Sequence, residues 1–86
     1  MNGITTMTLL LDELIAEHNA KTGAKMTRYK LARELYDAGL YRSHQSAINA
    51  LNYATSGKAK GLDFALTIYL CDRFDKPRPA IYKSTL

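Results

Sequence analysis

The sequence predicts an all-α fold, a compact domain of four to five helices. Apolar residues recur at helical spacing in four segments, and no segment alternates apolar and polar residues for long enough to predict a strand. A chain of 86 residues suits one small domain with its own hydrophobic core. That domain is expected over residues 1–76. Residues 77–86 are expected to form a tail or a dimerisation arm, because two prolines prevent a further helix there.

The first two helices have recognisable boundaries. The first is predicted to run from about Thr8 to Ala20 and to end at Gly23. The second opens after Thr27 as its N-cap, where Met26 and Leu31 are spaced for a hydrophobic staple. Its apolar residues share one arc of the helical wheel, so one face of the second helix is expected to be buried.

The next two helices follow the same rules. Gly39 is placed to close the second helix, and Ser43 is a good N-cap for a third helix from about His44 to Thr55. A short glycine- and lysine-containing loop separates it from a fourth helix of roughly Leu62 to Phe74. Because the fourth helix is apolar on two sides, we expect it to be central or to lie at an interface.

The third helix has an unusual outer face. One side of its helical wheel is apolar, whereas the other carries amide, hydroxyl and phenol groups and no charge. A solvated helix face usually carries Glu and Lys, since Asn and Ser are weak helix formers. The uncharged polar residues are Gln45, Ser46, Asn49, Asn52, Tyr53 and Ser56. This composition favours a binding role for the face.

Positive charge is concentrated in the middle of the chain. The net charge is −3 over residues 1–20, +6 over residues 21–60 and +1 over residues 61–86. A localised basic block is what a surface that binds a polyanion requires, although charge alone does not establish such a surface.

The sequence contains few residues in patterns that are typical of catalytic sites. His18 and His44 stand in different helices without a Cys, Asp or Ser motif beside them, and we interpret both as packing or capping residues. Cys71 is the single cysteine, which excludes an internal disulfide and gives no zinc-site spacing, so we interpret it as a small apolar filler. We expect no enzyme, metal, cofactor or small-molecule ligand, and a cytoplasmic protein without a membrane span or signal peptide.

Short sequence motifs resemble those of one DNA-binding family. The run Gln-Ser-Ala-Ile-Asn-Ala-Leu at 45–51 resembles the recognition helix of λ-repressor-like (Xre/Cro) helix-turn-helix proteins. Residues 31–35 resemble the preceding helix of that family, and residues 62–66 resemble its next helix. The size and order of the segments also resemble small plasmid and phage repressors, including the KorC type. The resemblance implies that residues 1–76 form a helix-turn-helix DNA-binding domain.

The spacing departs from the family pattern in one place. Ala32 and Ile48 lie sixteen residues apart, which is longer than in the family. Either the second helix extends through Tyr36 to Ala38, or residues 40–42 form a loop of their own. The relative angle of the two helices depends on which of these occurs.

The resemblance implies a role for each candidate site residue. The base-contacting residues are Gln45, Ser46, Asn49 and Asn52. The phosphate-contacting residues are Arg28, Tyr29, Arg42, Tyr53, Ser56, Lys58 and Lys60. We expect a dimer surface on the second apolar side of the fourth helix and on the tail, formed by Phe64, Ile68, Phe74, Ile81, Tyr82 and Leu86.

The function expected from these features is that of a transcriptional repressor. Such a protein binds a pseudo-palindromic double-stranded DNA operator as a homodimer, with half-sites roughly 34 Å apart. Two alternatives remain open. The first is a protein-interaction module, antitoxin-like or anti-regulatory, whose polar face meets a partner protein. The second is a recombination or excision accessory protein that acts by bending DNA.

Overall fold

The computed structural model describes residues 6–85, which are mostly helical with one small sheet. In chain order the elements are β1 (Thr6–Leu9), α1 (Leu11–Thr22), α2 (Arg28–Asp37), α3 (His44–Thr55), α4 (Phe64–Phe74), a 3₁₀ turn (Arg78–Ala80) and β2 (Tyr82–Thr85). The predicted helical character and the four predicted helices are confirmed. The sheet is an addition that the sequence pattern does not predict.

Strands β1 and β2 form an antiparallel pair, with Leu9 opposite Tyr82. Strand β1 uses residues that were expected to begin the first helix, so α1 starts at Leu11 and not near Thr8. Each strand has only four residues, and the paired residues are more than seventy positions apart. Periodicity in a local window cannot detect such a pair.

The segment after α4 folds back onto the domain. Ile81 is fully buried, and its carbonyl oxygen accepts a hydrogen bond from the Leu10 N–H at 2.8 Å. Phe74 is also buried, and its ring lies perpendicular to the His18 ring with the centroids 5.8 Å apart. The sequence assigns Phe74 and Ile81 to a dimer surface, but both pack in the core of their own chain. Leu86 lies outside the described residues.

Local capping fixes both ends of α2 as predicted. The Thr27 hydroxyl accepts a hydrogen bond from the backbone at the start of the helix. Gly39 has a φ of 84°, and its N–H donates to Tyr36 O at 3.0 Å. The N–H of Leu40 donates to Leu35 O at 3.1 Å, which completes a Schellman motif. Helix α2 therefore ends in a defined direction.

The long connection between α2 and α3 combines both sequence-level alternatives. Helix α2 extends through Asp37, and six further residues, 38–43, precede α3. The Ser43 hydroxyl then accepts the Ser46 N–H at 3.0 Å, and α3 occupies the predicted range His44–Thr55. The extra length thus lies partly in helix and partly in loop.

The core forms where α2 and α3 pack against each other. Leu31, Ala32 and Leu35 of α2 and Ala47 and Leu51 of α3 are fully buried. The alanines allow the two backbones to approach closely, and the leucines fill the remaining space. This packing holds the opposite face of α3 toward solvent.

Helix α4 begins two residues later than predicted, at Phe64. The Asp63 carboxylate accepts the Leu66 N–H at 3.1 Å, which makes Asp63 the N-cap. Between residues 6 and 85, no helix combines the length and the hydrophobicity of a transmembrane segment.

Candidate nucleic-acid interface

The outer face of α3 carries its uncharged polar residues into solvent. Gln45, Asn49 and Asn52 are exposed at spacings of four and three residues, so they line one side of the helix. Tyr53 is 57% exposed, and Ser56, the C-cap residue, is also exposed. We call these five residues the polar stripe. Their side chains are open to a partner.

Gln45 and Asn49 form a hydrogen-bonded pair near the start of the polar stripe. Gln45 Nε2 donates to Asn49 Oδ1 at 3.0 Å. Among the described residues, Gln45 Oε1 and Asn49 Nδ2 have no other protein partner. The pair therefore presents one acceptor and one donor group side by side. A DNA base edge in the major groove offers the complementary groups, as adenine does with N6 and N7.

Ser46 is half-buried and belongs to the start of α3 more than to the polar stripe. Its hydroxyl lies 2.8 Å from the Ser43 hydroxyl, which also accepts the Ser46 N–H. Of the four predicted base-contacting residues, Ser46 is the least exposed. The structure thus gives Ser46 a visible role in helix capping.

Arg28 connects three helices beside the polar stripe. Its Nη1 donates to Asn52 Oδ1 at 3.0 Å and to Thr55 Oγ1 at 3.1 Å. Its Nη2 donates to Asp12 Oδ1 of α1, also at 3.1 Å. The positive charge of Arg28 is therefore partly offset by a carboxylate that is itself 79% exposed. Sequence reasoning missed Asp12, because acidic residues are ordinary in the first turn of a helix.

Tyr29 and His44 fix the start of α3 against the start of α2. Their rings meet edge to face with centroids 4.3 Å apart, and His44 Nε2 lies 3.0 Å from the Tyr29 carbonyl oxygen. An imidazole N–H at that nitrogen donates to the carbonyl. His44 thus packs against α2, and Tyr29 remains 65% exposed next to it.

The loop after α3 holds two lysines outward from an anchored centre. Ala59 is buried, and its carbonyl oxygen accepts the Met7 N–H of β1 at 2.7 Å. Lys58 and Lys60 on either side of it are exposed. Gly57 has a φ of 84°, which few other residues adopt without strain, so the loop leaves α3 along a fixed path.

Along the sequence, the charged residues that flank the polar stripe are all positive. Between residues 38 and 62 the only charged side chains are Arg42, Lys58 and Lys60. All three are exposed. The flanking carboxylates are occupied, because Asp37 forms an ion pair within α2 and Asp63 caps α4. An uncharged helix face thus lies between cations at both of its ends.

Glu34 is the acidic residue with the strongest contacts in the basic segment 21–60, and these contacts are with α4. Glu34 forms a two-bond ion pair with Arg73 of α4, at 2.8 and 3.1 Å, and accepts a bond from the Tyr69 hydroxyl at 3.2 Å. The Arg73 hydrogen bonds lower the pKa of Glu34, whereas burial raises the pKa of Tyr69. This cluster ties α2 to α4.

The remaining predicted dimer residues divide into two groups. Phe64 and Ile68 are exposed on α4, next to a groove of about 610 Å³. Tyr82 is half-buried in β2 and packs against the core. Among the predicted dimer residues that the structure describes, Phe64 and Ile68 therefore offer the large exposed apolar surface.

Comparisons of this chain with protein families, with curated proteins and with solved structures find no match. The resemblance to λ-repressor-like proteins accordingly rests on the short motifs alone. Within residues 6–85, no three His, Cys, Asp or Glu side chains are grouped so that they could hold a metal ion.

Proposed function

We propose that this protein is a sequence-specific double-stranded DNA-binding repressor of the λ-repressor-like helix-turn-helix kind. In this proposal it acts as a dimer on a pseudo-palindromic operator. The observation that carries the proposal is the polar stripe, an exposed amide-bearing helix face whose neighbouring charges along the sequence, between residues 38 and 62, are all positive. The major groove of B-form DNA is wide enough to accept such a helix.

Base reading in this proposal depends on the amides of the polar stripe. Gln45 and Asn49 offer a donor and an acceptor, and their mutual hydrogen bond reduces the side-chain freedom that binding would otherwise remove. Asn52 lies one turn further along, and its carbonyl oxygen already accepts from Arg28. Asn52 therefore reads a base mainly through its amide nitrogen.

Phosphate binding in this proposal comes from the two ends of α3. Lys58 and Lys60 project from the loop after the helix, and Arg42 precedes it. The Tyr29 and Tyr53 hydroxyls add neutral donors at the same edges. Lysine and arginine contacts supply affinity for any sequence, so specificity stays with the polar stripe.

Selection of bound duplexes from a random DNA pool tests the proposal. The expected result is an enriched palindrome whose half-sites lie about one helical turn apart, roughly 34 Å. A reporter gene placed behind the enriched sequence then measures repression. The proposal fails if no sequence is enriched and no duplex shows salt-sensitive binding.

A second candidate function is binding of a partner protein through the same face. Tyr29 and Tyr53 are 65% and 57% exposed beside the amides, and tyrosine is enriched at protein interfaces. This candidate predicts stoichiometric binding to a protein and no salt-sensitive shift of duplex DNA. The two functions are therefore separated by one titration with DNA.

A further inference from the structure

Hydrogen bonds on two sides hold the Arg28 side chain in one position. Its Nη2 donates to Asp12 Oδ1 at 3.1 Å, and its Nη1 donates to Thr55 Oγ1 at 3.1 Å and to Asn52 Oδ1 at 3.0 Å. Thr55 accepts this bond because its own hydroxyl hydrogen is directed to the Leu51 carbonyl oxygen, 3.0 Å away. The N–H groups of a guanidinium have fixed directions in one plane. Contacts with both Nη atoms therefore leave the group little freedom to turn.

The position of Arg28 determines how the Asn52 amide is turned. Rotation of an asparagine amide by 180° exchanges its acceptor oxygen with its donor nitrogen. Arginine has donors and no acceptor, so Asn52 must turn its oxygen toward Arg28. The amide nitrogen is then on the side away from the guanidinium. Asn52 is exposed, and its Nδ2 donates to no protein acceptor among the described residues.

The Asn52 amide thus differs from the Gln45–Asn49 pair on the same face. That pair keeps one acceptor and one donor open, which matches adenine, with a donor at N6 and an acceptor at N7. Asn52 has its oxygen occupied and offers a donor beside a positive charge. Guanine matches this arrangement best, because its major-groove edge has two neighbouring acceptors, O6 and N7. Thymine offers one acceptor beside a methyl group, and cytosine offers a donor.

We propose that Arg28 is a positioning residue that determines which base the polar stripe accepts opposite Asn52. Arg28, fixed by Asp12 and Thr55, turns the Asn52 amide so that it donates, and the base at that position is guanine rather than adenine. Each half-site then combines an adenine read by the Gln45–Asn49 pair with a guanine read by Asn52. This inference rests on the proposed function and deepens it, because it names the kind of half-site that the polar stripe recognises.

Selection from a random DNA pool with matched arginine variants tests the role of Arg28. Arg28→Met keeps an unbranched side chain but removes every donor, so the Asn52 amide is free to form the bidentate contact with adenine. The ratio of guanine to adenine at one position of each half-site is expected to fall at least about fivefold, the lower end of what one such contact contributes. Arg33→Met is the control, because it removes the same charge from an exposed site on α2 that pairs with Asp37. It is expected to leave the ratio unchanged.

Asn52→Asp identifies the position that Asn52 reads. A carboxylate accepts and does not donate, so the selected base there is expected to change from guanine to cytosine, whose N4 amino group donates. The other positions are expected to keep their bases. Circular dichroism and thermal melting check that each variant folds. Since Asn52 is exposed, this variant keeps the proposal testable even if Arg28→Met does not fold. Adenine in the wild-type selection at the position that changes, or no change at any position, overturns the proposal.

The failure of this inference is distinct from the failure of the proposed function. If Arg28→Met weakens binding to all sequences and leaves the guanine-to-adenine ratio unchanged, Arg28 supplies charge or stability only. That result removes the inference and keeps the sequence-specific function. If the wild-type protein enriches no sequence, the proposed function fails and the inference fails with it.

Discussion

The outer faces of α3 and α4 are both exposed, but they offer opposite chemistry. The α3 face consists of amide, hydroxyl and phenol groups that form directed hydrogen bonds. The α4 face exposes the hydrocarbon of Phe64 and Ile68 beside a groove. A directed polar surface discriminates among partners, whereas an apolar one supplies affinity with less direction. This small domain therefore exposes two chemically different faces on two different helices.

The Ile68→Asp variant is the strongest test of whether the α3 and α4 faces act independently. The sequence assigns Ile68 to the dimer surface, so this change is expected to lower the affinity of the proposed dimer for a full palindrome by about 10²- to 10⁴-fold, because linked binding of two half-sites is lost. Affinity for an isolated half-site is expected to stay the same. Fluorescence anisotropy on the two duplexes measures both. An equal loss on the half-site would show that the two faces are not independent.

Alanine substitutions of the amide residues test whether the α3 face recognises DNA bases. Gln45→Ala and Asn49→Ala are each expected to weaken the selected site by about 1–3 kcal/mol and to spare random DNA. The double variant is expected to lose less than the sum, because each single change already breaks the Gln45–Asn49 hydrogen bond. Competition binding with both DNAs measures this cycle. Ser84→Ala, exposed on β2, is the control that is expected to have no effect.

Neutral substitutions of Lys58 and Lys60 distinguish non-specific attraction to DNA phosphates from recognition of the bases. Lys58→Ala and Lys60→Ala are each expected to weaken selected and random DNA alike and to reduce the salt slope by about one. Lys21→Ala, on α1 and paired with Glu17, is the matched control with little expected effect. Titrations at several salt concentrations give the slopes. A lysine change that weakens only the selected site would contradict this division.

The Glu34–Arg73 pair tests whether the two faces are mechanically linked, since it joins α2 to α4. Arg73 lowers the pKa of Glu34 in the folded state, so the carboxylate adds stability above its unfolded pKa of about 4.3. That stability is lost as pH falls through the folded pKa. Glu34→Gln is expected to cost about 1 kcal/mol at neutral pH for this partly exposed pair, and the difference from wild type is expected to vanish in acid. Urea denaturation at each pH measures it, with Glu13→Gln, at an exposed glutamate without an ion-pair partner among the described residues, as the control.

Asp12→Asn has the smallest expected effect and the opposite sign. Without this carboxylate 3.1 Å away, Arg28 is free to meet a phosphate, and an exposed negative charge beside the polar stripe is removed. Affinity for both DNAs is expected to rise a few-fold, with a salt slope steeper by up to about one. Glu13→Gln removes the same charge from the next residue and is the matched control. Equal gains in both variants would assign the effect to net charge alone.

The parts of the fold that the sequence predicts are those set by nearby residues. Thr27 and Ser43 cap their helices where expected, and Gly39 ends α2, because each makes hydrogen bonds within a few positions. The pairing of Leu9 with Tyr82 depends on residues far apart in the chain, so no local pattern reveals it. This pairing also explains why Ile81 packs inside and not at a dimer surface.

The candidate site also contains residues that local spacing predicts and residues that only tertiary packing brings together. Helical spacing predicts that Gln45, Asn49 and Asn52 share an exposed face, and the structure has them there. The Arg28 contacts with Asp12 and Asn52 join residues of three helices, and only their packing brings these together. The sequence motif assigns Arg28 to phosphate contact, whereas in the structure the Asp12 carboxylate pairs with Arg28.

The Met7–Ala59 hydrogen bond gives β1 a neighbour on each side, β2 on one edge and the lysine-bearing loop on the other. Displacement of β2 from β1, by truncation, proteolysis or a fused tag, would therefore also weaken the attachment of the lysine-bearing loop to β1. The orientation of Lys58 and Lys60 thus depends on whether the distant strand β2 stays paired with β1.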